Sequence, residues 1–132
     1  MNERILKILE EMDRYMDGGS MLAFIALNRK RIWFDVFFTK QQKEQDINVL
    51  ELTVRSGHCL YRANIRTLGE LLERITPAND ESCKQKLLSL RNLGRKSAEE
   101  ILLAILCYQY LILPDHEKRA YVRGIIERNL AA

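Results

Sequence analysis

Residues Leu90–Ile101, "LRNLGRKSAEEI", place a turn glycine, two adjacent cations, a serine and an acidic pair within one short stretch. Gly94 suits a sharp helix-to-helix turn, because it tolerates left-handed or otherwise restricted backbone that a Cβ would penalise. Ser97 and Glu100 have the spacing of a capping box, which predicts a helix beginning at about Ala98. The unpaired N–H groups and positive dipole end of that helix face the turn and make an anion site. Arg95 and Lys96 add mobile positive charge, Asn92 adds a neutral donor, and Leu90 and Leu93 hold the turn against a core. The pattern is that of a helix-hairpin-helix unit, which grips a nucleic-acid backbone in many proteins. The bland alternative is an ordinary helix connection whose cations are solvated.

Working outward, "KSAEEILLAILCYQYLIL" continues as a long helix that ends before Pro114. Upstream, "KQKLLSL" reads as a short helix. "TPANDESCK" (residues 76–84) combines Pro77 with Asn, Asp and Ser and reads as a loop, acidic at Asp80 and Glu81. "TLGELLERI" opens with a second capping box, Thr67 with Glu70, and buries a stripe of Leu68, Leu71, Leu72 and Ile75. "RSGHCLYRA" is a further short helix, turned into the next by "NIR".

The flanks are simpler. "NERILKILEEMDRYM" carries Ile5, Leu9, Met12 and Met16 at helical spacing, and "DGGS" at 17–20 ends it. Residues 21–38 fit two readings. Trp33 with Phe37 and Phe34 with Phe38 are four apart, as in a helix, while "MLAFIAL" and "RIWFDVFF" around "NRK" fit a β-hairpin. The helix is preferred because every neighbouring segment is helical. "QQKEQD" at 41–46 is the best candidate linker. The last segment, about 116–130, aligns Val122, Ile125, Ile126 and Leu130, with Asp115 placed to cap it.

The expected fold is therefore all-α, a compact helical bundle with two helix-hairpin-helix units and an N-terminal appendage of helices. The expected organisation is an appendage at 1–46, a hairpin domain at 47–113 and an extra C-terminal helix at 114–132. Trp33, Phe34, Phe37 and Phe38 are natural anchors for a partner or a second copy of the chain; packing on the domain's own core is the preferred alternative.

Composition limits the function. A chain of 132 residues supports one core. The net charge of +3 is spread as zero over 1–46, +2 over 47–113 and +1 over 114–132, so any nucleic-acid contact must be local rather than bulk. Cys59, Cys83 and Cys107, with His58 and His116, match neither a disulfide framework nor zinc-ligand spacing, and reduced thiols are expected. There is no uninterrupted apolar run of membrane-spanning length and no leader pattern, so a cytoplasmic protein without membrane contact is expected. Asp115 and His116 have no convergent partner, and no nucleophile pair or phosphate-transfer loop is present, so an enzyme is not expected and no cofactor is implied.

Two stretches together, "LELTVRSGHCLYRANIRTLGELLERI" and "LLSLRNLGRKSAEEI", resemble the carboxy-terminal domain of the bacterial RNA polymerase alpha subunit. The family runs as a Leu-Thr/Ser-Val-Arg-Ser-x-Asn-Cys-Leu segment, an Asn-Ile turn, a Gly-Asp/Glu-Leu helix and an Asn-Leu-Gly-Lys-Lys-Ser hairpin. The match covers about residues 48–112. The resemblance implies a bundle of two hairpin units that docks in the minor groove of A/T-rich DNA and meets RNA polymerase, a sigma factor or transcription regulators.

By that matching, the family's groove-entering arginine falls on Arg55, and backbone-contacting positions fall on Cys59, Asn92, Gly94, Lys96 and Ser97. Arg95 stands where the family has lysine, which keeps the charge. His58 stands where it has a DNA-contacting asparagine; histidine is bulkier and donates one bond when neutral. The link at 76–86 is longer than the family's. Residues 1–46 are too short for the subunit's large amino-terminal domain, so the resemblance is to a free-standing, nucleoid-associated relative, with a homodimer among the options. The competing expectation is a protein-interaction adaptor of the transcription machinery that has lost DNA binding.

Overall fold

The computed structural model describes residues 2–28, 34–76 and 83–131, and among these every regular element is helical. The first, α1 (Glu3–Met12), starts where the Asn2 side chain accepts from the amides of Arg4 and Ile5, and it buries Ile5, Ile8, Leu9 and Met12. A 3₁₀ turn at Asp13–Tyr15 and Gly18, at φ 78°, reverse the chain. Ser20 caps α2 (Met21–Leu27), and the Asp13 carboxylate accepts from the Met21 amide at 2.7 Å.

Neither sequence reading of 21–38 holds over its whole span. The helix stops at Leu27, and residues 34–39 run without regular structure. The reason lies on a later helix, where the fully buried Gln109 side chain donates to the Asp35 carbonyl and accepts from the Phe37 amide, each at 2.8 Å. Those backbone groups thus find a partner without helix or ladder. Phe38 is buried against the core, Phe34 is half-buried, and Phe37 packs edge-on to Tyr121; Trp33 lies outside the described residues.

The segment expected as a linker is instead stapled down. Thr39 and Gln42 form a capping box that starts α3 (Lys40–Lys43). The Leu68 amide bonds to the Gln45 carbonyl and the Ile47 amide to the Arg66 carbonyl, each at 2.9 Å. A 3₁₀ turn at Ile47–Leu50 then leads into Glu51, a non-glycine residue at φ 49°.

The two expected hairpins follow. The first joins α4 (Val54–Arg62) to α5 (Leu68–Ile75) through Asn64 at φ 66°, and the Thr67–Glu70 capping box is present. In α5, Leu68, Leu71 and Ile75 are buried and Leu72 is partly so. The second joins α6 (Cys83–Leu88) to α7 (Arg95–Ile112) through Asn92 at φ 64°. In both, the asparagine takes the left-handed turn position, which its short side chain tolerates better than most, and the next residue, Ile65 or Leu93, is buried.

Helix α7 is the axis of the core. Ala98, Ile101, Leu103, Ala104, Ile105, Leu106, Cys107 and Tyr110 are all buried, so its apolar surface extends around most of its circumference. Helices α1, α4 and α6 pack against it. Burial pushes the Cys107 thiol up to about 12, which leaves it inert at neutral pH.

Helix α8 (Asp115–Ala131) buries Val122 and Ile125, while Leu130 of the expected stripe is exposed. Asp115 lies inside the first turn and pairs with Lys118 at 3.3 Å rather than capping from outside. No helix among the described residues is long and apolar enough to cross a membrane.

Candidate nucleic-acid interface

The turn of the second hairpin departs from its sequence reading in two ways. Gly94 sits at φ −85° and ψ 176°, ordinary extended backbone, and the left-handed position belongs to Asn92. Helix α7 begins at Arg95, with Gly94 as its cap, so Ser97 lies within the first turn and is buried rather than capping. Glu100 has been drawn away from any capping box. Its carboxylate accepts from the Thr53 amide, the Thr53 hydroxyl and the Ser56 hydroxyl, each at 2.7 Å, and from the Asn2 amide nitrogen at 3.2 Å.

This network ties the two hairpins together. Thr53 is the residue from which α4 starts, two positions before Arg55, and Glu100 is on α7. Burial works to raise the Glu100 pKa, but the bonds from Thr53, Ser56 and Asn2 outweigh it and hold the carboxyl below its ordinary value. A second tie is made by Cys59, whose thiol donates to the Asn92 carbonyl at 3.3 Å. Cys59 is 5% exposed, so it braces the Asn92 turn from below.

Two grooves open on either side of this junction. One, of about 690 Å³, is lined by Arg55, His58, Cys59 and Arg62 of α4 and by Asn92 and Gly94 of the second hairpin. The other, of about 650 Å³, is lined by Arg55, Gly94, Arg95, Lys96 and Ser97, together with Asn2, Thr53 and the acidic residues Glu99 and Glu100. Arg55 and Gly94 belong to both. The eight residues that the sequence offers as DNA-contacting therefore all line one or other of these adjoining grooves.

Their accessibility differs. Arg55, His58, Asn92, Gly94, Arg95 and Lys96 are exposed, and the side chains of Arg55, His58, Arg95 and Lys96 make no hydrogen bond or ion pair with any described residue. Cys59 and Ser97 are buried. Apart from its chain neighbours, a Cβ on Gly94 would meet no atom of a described residue within 4 Å. Neither backbone geometry nor internal packing requires glycine here, which leaves the groove open to close approach by something external.

Arg62, Thr53 and Glu100 were missed by reading the sequence. Arg62 lies seven residues after Arg55, two helical turns along the same face, and that spacing is visible in the sequence. Glu100 read as a cap, and only the tertiary contact with Thr53 reveals its work. The acidic pair Asp80 and Glu81 lies outside the described residues.

The family of the C-terminal domain of the bacterial RNA polymerase alpha subunit matches residues 38–105. The protein belongs to that family. The DNA-directed RNA polymerase subunit alpha of Carboxydothermus hydrogenoformans is 35% identical over 85 residues, covering 60% of this chain and 25% of that protein. The corresponding subunit of Borrelia garinii subsp. bavariensis is 35% identical over 79 residues, 60% of this chain and 21% of its own length. That of Desulforudis audaxviator is 35% identical over 85 residues, 60% of this chain and 24% of its own. The chain thus spans a quarter or less of the length of these relatives. No solved structure matches it. The matched span takes in both hairpins and the first part of α7, hence most of the two grooves, and leaves out α1, α2 and α8.

Proposed function

We propose that this protein is a DNA-binding module of the bacterial transcription apparatus, in which Arg55 enters the minor groove of A/T-rich DNA. The observation that carries the reading is the meeting around Gly94 of Arg55, Arg95 and Lys96, whose side chains have no partner among the described residues, with the nearby Glu100 carboxylate turned inward onto Thr53 and Ser56. A guanidinium suits a narrow minor groove, where the negative potential is enhanced and A·T pairs offer only acceptors. Arg95, Lys96, Asn92 and the free amides at the start of α7 hold the flanking phosphates. His58, at the groove edge, donates to a phosphate in place of an amide. Such a module works at the nucleoid beside RNA polymerase, a sigma factor or a regulator.

With about three phosphates neutralised, the slope of log affinity against log salt is roughly −2.7, so affinity falls about 40-fold between 50 and 200 mM salt. The test is fluorescence anisotropy with a short A/T-rich duplex and a G/C-rich control at both salts, on wild type and Arg55→Ala. A/T-preferring, salt-sensitive binding that Arg55→Ala removes is the expected result. An absence of binding at low salt would discard the DNA reading in favour of the protein-interaction adaptor.

A further inference from the structure

We infer that the first helix is part of this interface, and that Asn2 is a positioning residue for Arg55. The inference rests on the DNA-binding reading for its functional half and on geometry for the rest. Asn2 and Arg4 lie well before the family match at residues 38–105, so nothing in the family assigns them a role.

The contacts made by the start of α1 converge on the segment just before Arg55. While the Asn2 Oδ1 caps its own helix, its Nδ2 donates to the Glu51 carbonyl at 2.9 Å and to the Glu100 carboxylate at 3.2 Å. The Arg4 guanidinium donates to the Leu50 carbonyl at 3.2 Å and pairs with the Glu51 carboxylate. Glu51 is the left-handed residue at φ 49°, a conformation that costs energy without glycine and persists when its surroundings hold it.

One side chain thus spans three elements. On one side it holds the carbonyl of the strained residue; on the other it holds the carboxylate that receives the Thr53 amide and hydroxyl. Thr53 in turn begins the helix that carries Arg55. Asn2 also lines the groove shared by Arg55, Arg95 and Lys96. Fixing the start of the helix that carries Arg55 before DNA arrives reduces the ordering cost of binding, which is how a residue that never touches a base can strengthen the complex.

The experiment compares the 132-residue protein with its Asn2→Ser and Ser20→Ala variants. Serine keeps an oxygen to cap α1 but lacks the amide that reaches Glu51 and Glu100. Ser20 caps α2 and lines neither groove, so its replacement controls for a general loss of stability. The expected result is that Asn2→Ser weakens binding to the A/T-rich duplex about fivefold, the equivalent of one lost hydrogen bond, while Ser20→Ala binds as wild type does.

Two readouts need no DNA. By NMR, the Thr53 amide resonance shifts and the Glu100 carboxyl titrates at higher pH in Asn2→Ser, with neither change in Ser20→Ala. If wild type binds no duplex, the DNA reading fails and these two signals alone judge the positioning role. Unchanged Thr53 and Glu100 signals, equal binding by Asn2→Ser and wild type, or equal loss in both variants would each overturn the proposal.

Discussion

Replacing Glu100 with glutamine tests the junction on which the interface is built. The carboxylate accepts three bonds at 2.7 Å, from the Thr53 amide and from the Thr53 and Ser56 hydroxyls, and a fourth from Asn2 at 3.2 Å. A hydrogen bond to a charged group contributes about 1.5–3 kcal/mol, and the values for a shared acceptor do not add. Glutamine keeps one oxygen, for the Thr53 amide, and turns an NH₂ toward hydroxyls that then lose their acceptor. With Glu100 half-buried and screened by solvent, the net loss at pH 7 is about 1–2 kcal/mol. For a protein of this size that lowers Tm by about 3–10 °C.

The pH dependence gives this prediction its sign. The folded pKa of Glu100 lies below the ordinary 4.5, so its contribution is present above that value and is lost as pH falls through the folded pKa. Thermal unfolding of wild type and Glu100→Gln, followed by circular dichroism from pH 7 down to pH 3, will show a gap that is widest at neutral pH and narrows below 4.5. Duplex binding at pH 7 falls as well, because the Thr53 and Ser56 hydroxyls lose the acceptor that helps fix the start of α4. A gap that is absent at pH 7, or that persists unchanged at pH 3, refutes the assignment of Glu100 as an ionised tie between the hairpins.

Gly94→Ala separates folding from binding: with φ −85° and open space at the Cβ position, Tm holds or rises slightly, while anisotropy shows weaker duplex binding. Lys96→Ala weakens binding to A/T-rich and G/C-rich duplexes alike and makes the salt slope shallower by about 0.9, read from anisotropy at several salt concentrations. Leu106→Ala, at a fully buried position on α7, costs about 3–5 kcal/mol in urea unfolding and leaves the m-value unchanged.

What the sequence disclosed depended on how local each cause was. The Thr67–Glu70 capping box, the turn at Asn64 and apolar spacing act within a few residues, so the helices around 54–75 and the body of α7 could be read directly, whereas the left-handed turn expected at Gly94 falls on Asn92. The segment around Phe34–Phe38 could not, because its backbone is satisfied by Gln109, more than seventy positions away, and aromatic spacing alone fits helix and hairpin equally. Ser97 and Glu100 have the spacing of a capping box, yet Thr53 and Ser56 offer the carboxylate better donors, and the helix starts earlier. Residues 41–46 looked like a linker because they are polar, but the Gln45 carbonyl accepts from the Leu68 amide at the start of α5, and Ile47 just beyond them pairs with the Arg66 carbonyl. For the site, residue types were legible and their burial was not: Cys59 and Ser97 belong to the groove walls as supports, beneath Asn92 and Gly94.

The charge distribution carries the same lesson one step further. Along the sequence the positive charge is thin and evenly spread, which argues against nucleic acid when judged by net charge. In three dimensions Arg55, Arg62, Arg95 and Lys96 line two grooves that meet at Gly94, against the two carboxylates Glu99 and Glu100, of which Glu100 is committed to protein donors. The field that a phosphate meets is set by charges within about a Debye length, roughly 8–10 Å, rather than by the sum over the molecule. A protein that is nearly neutral overall can therefore hold a backbone at one place and remain weakly attracted elsewhere. On the proposed reading, that favours a short, local grip on DNA over coating it, and it leaves the few side chains at the junction of the hairpins to decide whether the protein binds.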